Sequence, residues 1–123
     1  MITKSCELFT AKANTEDDRN NRTVNYRYIL LECEKEIEYC GKKCLVSCFG
    51  VEIIREDVSH NSEYSTDSDR IENMTTYKYK IMQLIKKLYD NCVSPIHLID
   101  IAGGYSDEWI DDFESQLSST AVQ

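Results

Sequence analysis

Three of the six cysteines stand in a regular series, Cys40-x3-Cys44-x3-Cys48. Thiolates are soft donors, and zinc takes about four thiolate or imidazole ligands at roughly 2.0–2.3 Å, usually from tight knuckles. The spacing here is looser than a knuckle. On a strand, Cys44 and Cys48 would share a face about 13 Å apart at roughly 3.3 Å per residue, too far for one ion unless the strand breaks. Cys40 and Cys44 could approach across a turn at Gly41, and Cys33 or Cys92 could add a ligand. Cys33, Cys40, Cys44 and Cys48 are therefore the metal candidates, and Cys40 with Cys44 a redox candidate. The plainer expectation is a set of reduced thiols, buried or incidental, with no metal and no cofactor.

Ser94, His97 and Asp100 follow one another at steps of three and could share a helix flank. A hydrolase triad needs a nucleophile in a strained or loop position and an oxyanion hole, and neither is signalled. Ser94 reads instead as a helix cap and Asp100 as a first-turn acid favoured by the helix dipole. Cys92 could pair with His97, but it falls on an apolar helical stripe and is expected in the core. Asp100, Asp107, Asp111 and Glu114 form an acidic helix face. Carboxylates spread along a regular helix do not converge on one cation, so a solvated face or a basic partner is expected. Eight tyrosines are too many for a deep core in a chain of 123 residues, and tyrosine combines an apolar body with a polar tip. Tyr26, Tyr28, Tyr79 and Tyr89, with Asp107 and Asp111, are the predicted interaction residues.

These side chains hang on a recognisable frame. Tyr77, Ile81, Leu84, Ile85, Leu88 and Cys92 recur with helical spacing, with Thr76 as N-cap and Asn91 as closing residue. Val93-Ser94 makes a corner, and Ser94-Pro95 starts a second helix. Leu98, Ile101, Ala102, Tyr105, Trp109 and Phe113 keep one face, so one helix running through Gly103-Gly104 is favoured over two. Residues 77–92 hold four Lys and one Asp, a net of +3; residues 93–123 hold six acids and no Lys or Arg, a net of −6. Antiparallel packing would bring the two surfaces together.

Upstream, Val24–Glu34 and Cys44–Glu56 read as strands, residues 37–40 as a short strand and Arg70–Met74 as a last one. Gly50 marks a bulge or bend. Residues 57–69 read as a loop, with residues 59–62 at its tip, and an unpaired edge at Tyr26–Glu34 offers strand addition to a partner. Residues 1–23 are poorly patterned and read as a flexible N-terminal arm, onto which Leu8 and Phe9 could confer an anchor. The prediction is a single α+β domain over residues 24–118: an antiparallel sheet of three to four strands packed against a C-terminal pair of helices, followed by a disordered tail over residues 119–123.

The net charge is −8. A broad surface for nucleic acid or an anionic membrane is therefore not expected. No apolar run is long enough to span a bilayer, and no secretory leader is apparent, so the expected compartment is the cytoplasm.

Phe49-Gly50-Val51-Glu52-Ile53 and Ser94-Pro95-Ile96-His97-Leu98-Ile99-Asp100 together resemble a small uncharacterised family of single-domain proteins from clostridia and related Firmicutes. The resemblance covers roughly residues 24–113. It implies no activity and assigns no functional residue; Gly103-Gly104 is atypical of the helix expected there. With no catalytic constellation, the expected function is a non-catalytic regulatory or adaptor module acting through a protein partner or as a homodimer. A thiol-redox or zinc protein built on Cys40, Cys44 and Cys48 is the alternative.

Overall fold

The computed structural model describes residues 2–17, 20–59 and 64–121. Four strands, β1 (Ile2–Asp17), β2 (Asn20–Tyr39), β3 (Lys42–Ser59) and β4 (Tyr64–Thr75), form one antiparallel sheet in the order β1-β2-β3-β4. Three helices follow: α1 (Lys78–Asp90), α2 (Leu98–Glu108) and α3 (Asp112–Ala121), with one 3-10 turn at Pro95–His97 between α1 and α2. This is the α+β order of strands first and helices after.

The sheet is larger than predicted. The stretch read as a flexible arm is β1, paired with β2 from Ile2↔Cys33 to Asp17↔Asn20. Its polar composition hid it, because an edge strand needs few apolar residues when its backbone bonds are satisfied by one neighbour. Leu8, Phe9 and Ala11 pack on the core, and the Phe9 ring stacks on Tyr89 with centroids 4.6 Å apart. The predicted loop over residues 57–69 is also mostly strand: β3 reaches Ser59 and β4 begins at Tyr64. The expected loop tip lies largely outside the described residues.

β2 and β3 run unbroken from Arg22↔Ser59 to Tyr39↔Lys42. Cys40 and Gly41 alone make the turn, both left-handed at φ 53° and 77°. Positive φ at both central residues is the two-residue hairpin geometry that matches strand twist, and glycine supplies it without strain.

Gly50 is where the sheet changes its buried face. On one side of it Val51 and Ile53 are buried; on the other Val46 and Cys48 are, while Leu45 is 72 % exposed. Opposite Gly50 the register jumps from Val51↔Ile71 to Phe49↔Thr75, a bulge in β4 with Asn73 left-handed at φ 55°. A Cβ at Gly50 would run into the Ile71 carbonyl oxygen, so only glycine admits the bulge.

The core divides accordingly. Tyr28, Leu30, Val51, Ile53 and Met74 meet Ile81, Leu84, Ile85 and Leu88 of α1 and Leu98 and Ala102 of α2. Ile29, Leu31, Cys33, Val46 and Cys48 form a second cluster with Phe113 of α3.

The helix ends depart from expectation in detail. Tyr77, not Thr76, precedes α1 as the capping residue, and its amide donates to Thr75 Oγ1 at 3.1 Å. At the other end Asn91 is not left-handed (φ −99°); that conformation falls on Cys92 at φ 49°. The second helix does not run on to Phe113. It passes through Gly103 and Gly104, ends at Glu108, and resumes as α3. Trp109 packs on the first cluster and Phe113 on the second, so one straight rod cannot seat both. The tail expected to be disordered is helical as far as Ala121.

Candidate functional site

The cysteines are dispersed by the register. Cys40 sits exposed in the turn, and Cys44 lies opposite Ile37, half-buried. Cys33 lies directly opposite Cys48, and both are buried. The Cys48 thiol donates to Asn73 Oδ1 at 3.0 Å, so the bulge at Gly50 supplies its acceptor. Burial pushes that thiol up to about 11, which keeps it protonated and inert at neutral pH. Among the described residues no group of three or more His, Cys, Asp or Glu side chains is placed to hold a metal ion. Cys6 and Cys92 are exposed. Cys92 is therefore not the core residue its helical spacing predicted, because α1 ends before it and the left-handed turn carries it outward.

The tyrosines divide. Tyr28 is wholly buried, with its hydroxyl donating to the Val93 carbonyl at 3.0 Å and its ring edge-on to Tyr89 at 5.9 Å. Burial raises its pKa above the ordinary tyrosine value. Tyr89 is half-buried between Tyr28 and Phe9. These two predicted interaction residues therefore serve the core. Tyr26 is half-buried under the Arg55 guanidinium, 5.9 Å from its ring. Tyr79 is 60 % exposed, and Asp107 and Asp111 are exposed, so these three remain available at the surface.

The 3-10 turn and α2 carry what the sequence reading missed. Leu98 and Ala102 point inward and are fully buried. Ile96, Ile99 and Ile101 on the same segment, and Ile110 just after it, are exposed at 70 %, 58 %, 40 % and 67 %. Asp100, Asp107, Glu108 and Asp111 are exposed beside them. The segment therefore carries apolar residues on its outer side as well as its inner one. The signal was present in the Ile96–Ala102 run, which is too apolar for a one-sided stripe.

Between the end of α1 and α2 lies a cavity of about 440 Å³, lined by Lys87, Leu88, Asn91, Cys92, Val93, Ser94, His97 and Ile101. Ser94 and His97, two of the three residues predicted to share a flank, both line it; Asp100 does not. Ser94 makes no side-chain cap to the turn, contrary to expectation. Its Oγ is buried and has no hydrogen-bond partner.

A family model matches residues 7–108, described as a Family of unknown function (DUF6514). The chain belongs to this family. The DUF6514 match takes in nearly all of the sheet, α1 and α2, and it contains both resembling segments, Phe49–Ile53 and Ser94–Asp100. It begins well before residue 24, in keeping with β1 as part of the sheet, and it stops short of α3. No curated protein and no solved structure matches the chain.

Proposed function

We propose that this protein is a non-catalytic module that regulates or adapts by binding another protein, and that the outer face of the 3-10 turn and α2 is the surface it uses. The exposure of Ile96 and Ile99, at 70 % and 58 %, carries the reading. Isoleucine offers water nothing but apolar surface, and two of them one turn apart on a helix already packed on its other side form an apolar ridge. The surrounding charge defines the partner. Residues 93–123 contain six acids and no Lys or Arg, and only Asp112 among them is paired with a described lysine. A partner surface with an apolar groove flanked by Lys or Arg fits such a ridge.

Self-association through this face is disfavoured. A two-fold contact would lay the acidic surface of Asp100, Asp107, Glu108 and Asp111 against the same surface of the copy, like charge facing like. The partner is therefore a different chain. Among the described residues no helix is long and apolar enough to cross a membrane. Six free cysteines suit a reducing compartment, which supports the cytoplasm. The two resembling segments support an origin in clostridia or related Firmicutes.

The test is co-purification from the native host of the wild-type chain and an Ile96→Ser/Ile99→Ser variant. Both positions are exposed, so the variant folds. A partner that is released by salt from the wild type and absent from the variant is expected. A wild type that behaves as a partner-free monomer, or a variant that keeps the same partner, overturns the reading.

A second reading, a thiol-redox protein, draws on Cys33 facing Cys48 rather than on the Cys40, Cys44 and Cys48 series. It requires the buried pair to become accessible, and its raised thiol pKa works against reaction.

A further inference from the structure

We infer that the cavity between α1 and α2 is a binding site for a small organic carboxylate with an apolar body. The volume of about 440 Å³ is that of a small-molecule site. Its floor is fixed: Leu88 is buried, and Val93 is tied to the sheet by the Tyr28 hydroxyl on its carbonyl. Leu88, Val93 and Ile101 supply apolar contact for the body of the ligand.

The polar groups select its charge. The chain carries 22 acids, yet none lines this cavity, whereas Lys87 and His97 do. The Lys87 ammonium donates to the Tyr105 hydroxyl at 2.9 Å and pairs with no carboxylate among the described residues. An ammonium has three donors, so two remain for a ligand. Ser94 lines the cavity, but its Oγ is itself buried and is not counted among the ligand's donors. One ammonium set beside three aliphatic side chains suits a monocarboxylate better than a phosphate dianion. Cys92, held outward by its left-handed backbone, stands at the same cavity and reports on its occupancy. This site is separate from the ridge at Ile96 and Ile99, and either can fail without the other.

The experiment titrates the full chain with 1-naphthoate, using ligand-observed NMR for affinity and iodoacetamide labelling of Cys92 read by mass spectrometry. The neutral analogue 1-naphthalenemethanol is the control for charge. Saturable naphthoate binding is expected, at least about tenfold weaker in Lys87→Met, with slower alkylation of Cys92 and unchanged alkylation of Cys6 and Cys40. The inference is overturned if naphthoate does not saturate, if the alcohol binds equally well, if Lys87→Met leaves affinity unchanged, or if Cys92 is not protected.

Discussion

The Lys80 ammonium lies 2.8 Å from one carboxylate oxygen of Asp112 and 2.9 Å from the other. It joins the first turn of α1 to the first residue of α3. Thr75, the last residue of β4, donates its hydroxyl to the same carboxylate at 2.7 Å and accepts from the Tyr77 amide. The rings of Tyr77 and Trp109 flank the ammonium at 5.2 and 5.9 Å. The sheet and two helices thus meet at one carboxylate, at the point where α3 leaves α2.

Asp112→Ala should undo that junction. It leaves the buried Thr75 hydroxyl and the Lys80 ammonium without their acceptor. A loss of about 1–3 kcal/mol is expected in urea unfolding, with Asp112→Asn intermediate. Because Phe113 follows Asp112 and covers the second cluster, alkylation of Cys33 and Cys48 should also accelerate in the alanine variant.

Thiol reactivity should sort by position. Under native conditions Cys6, Cys40 and Cys92 should label quickly, Cys44 more slowly, and Cys33 and Cys48 only on unfolding. Mass spectrometry of a timed alkylation reads this directly. Fast native labelling of Cys48 would contradict its burial and its raised pKa, and would revive the thiol-redox reading.

Stability should fall on the alkaline side. Four resolved shifts are upward: Arg27 through its hydrogen bond to Glu7, Lys80 through its hydrogen bonds to Asp112, Tyr28 through burial, and Cys48 through burial, to about 11. For each, the folded chain holds its proton more tightly than the unfolded chain. The stabilisation is therefore complete below the ordinary values and is lost as pH rises through the folded ones. Cys48 acts from about pH 9 to about 11. Tyr28 and Lys80 act above their ordinary values of about 10 and 10.4. Thermal melts between pH 7 and 11 should show a falling midpoint that begins near pH 9.

The glycines should respond in opposite directions. Gly50→Ala places a methyl against the Ile71 backbone and should cost about 3 kcal/mol. A Cβ at Gly104 meets nothing within 4 Å, and one at Gly103 meets only Ile99 at 3.8 Å. Alanine at either position should therefore stabilise α2 by up to about 1 kcal/mol. Urea midpoints of the three variants check this.

Local periodicity made α1 legible: Ile81, Leu84, Ile85 and Leu88 are its buried residues, as their spacing requires. Gly50 was legible as a bend because an isolated glycine inside a strand pattern has few other uses. β1 was not legible, since its composition is polar and its partner β2 supplies the bonds and most of the apolar cover. The junction at Asp112 was hidden for another reason: Lys80 and Asp112 are 32 residues apart, and nothing near either marks the other. Ser94 and His97 were read as neighbours on a helix flank. Their meeting at a cavity with Cys92 and Lys87 depends on the left-handed turn at Cys92, which no residue type announced. Ile101 was counted toward the core because hydropathy cannot tell an inner face from an outer one; it is 40 % exposed.

The protein-contact account is tested most directly by placing a photo-crosslinking amino acid at position 99 in the native host, with position 45 as a control. Leu45 is likewise apolar and even more exposed, at 72 %, but lies on β3 of the sheet rather than in the acidic segment. The account predicts a discrete adduct with one other protein from position 99, weakened by salt and absent from position 45. Adducts with a second copy of the chain, equal adducts from both positions, or none from either would contradict it.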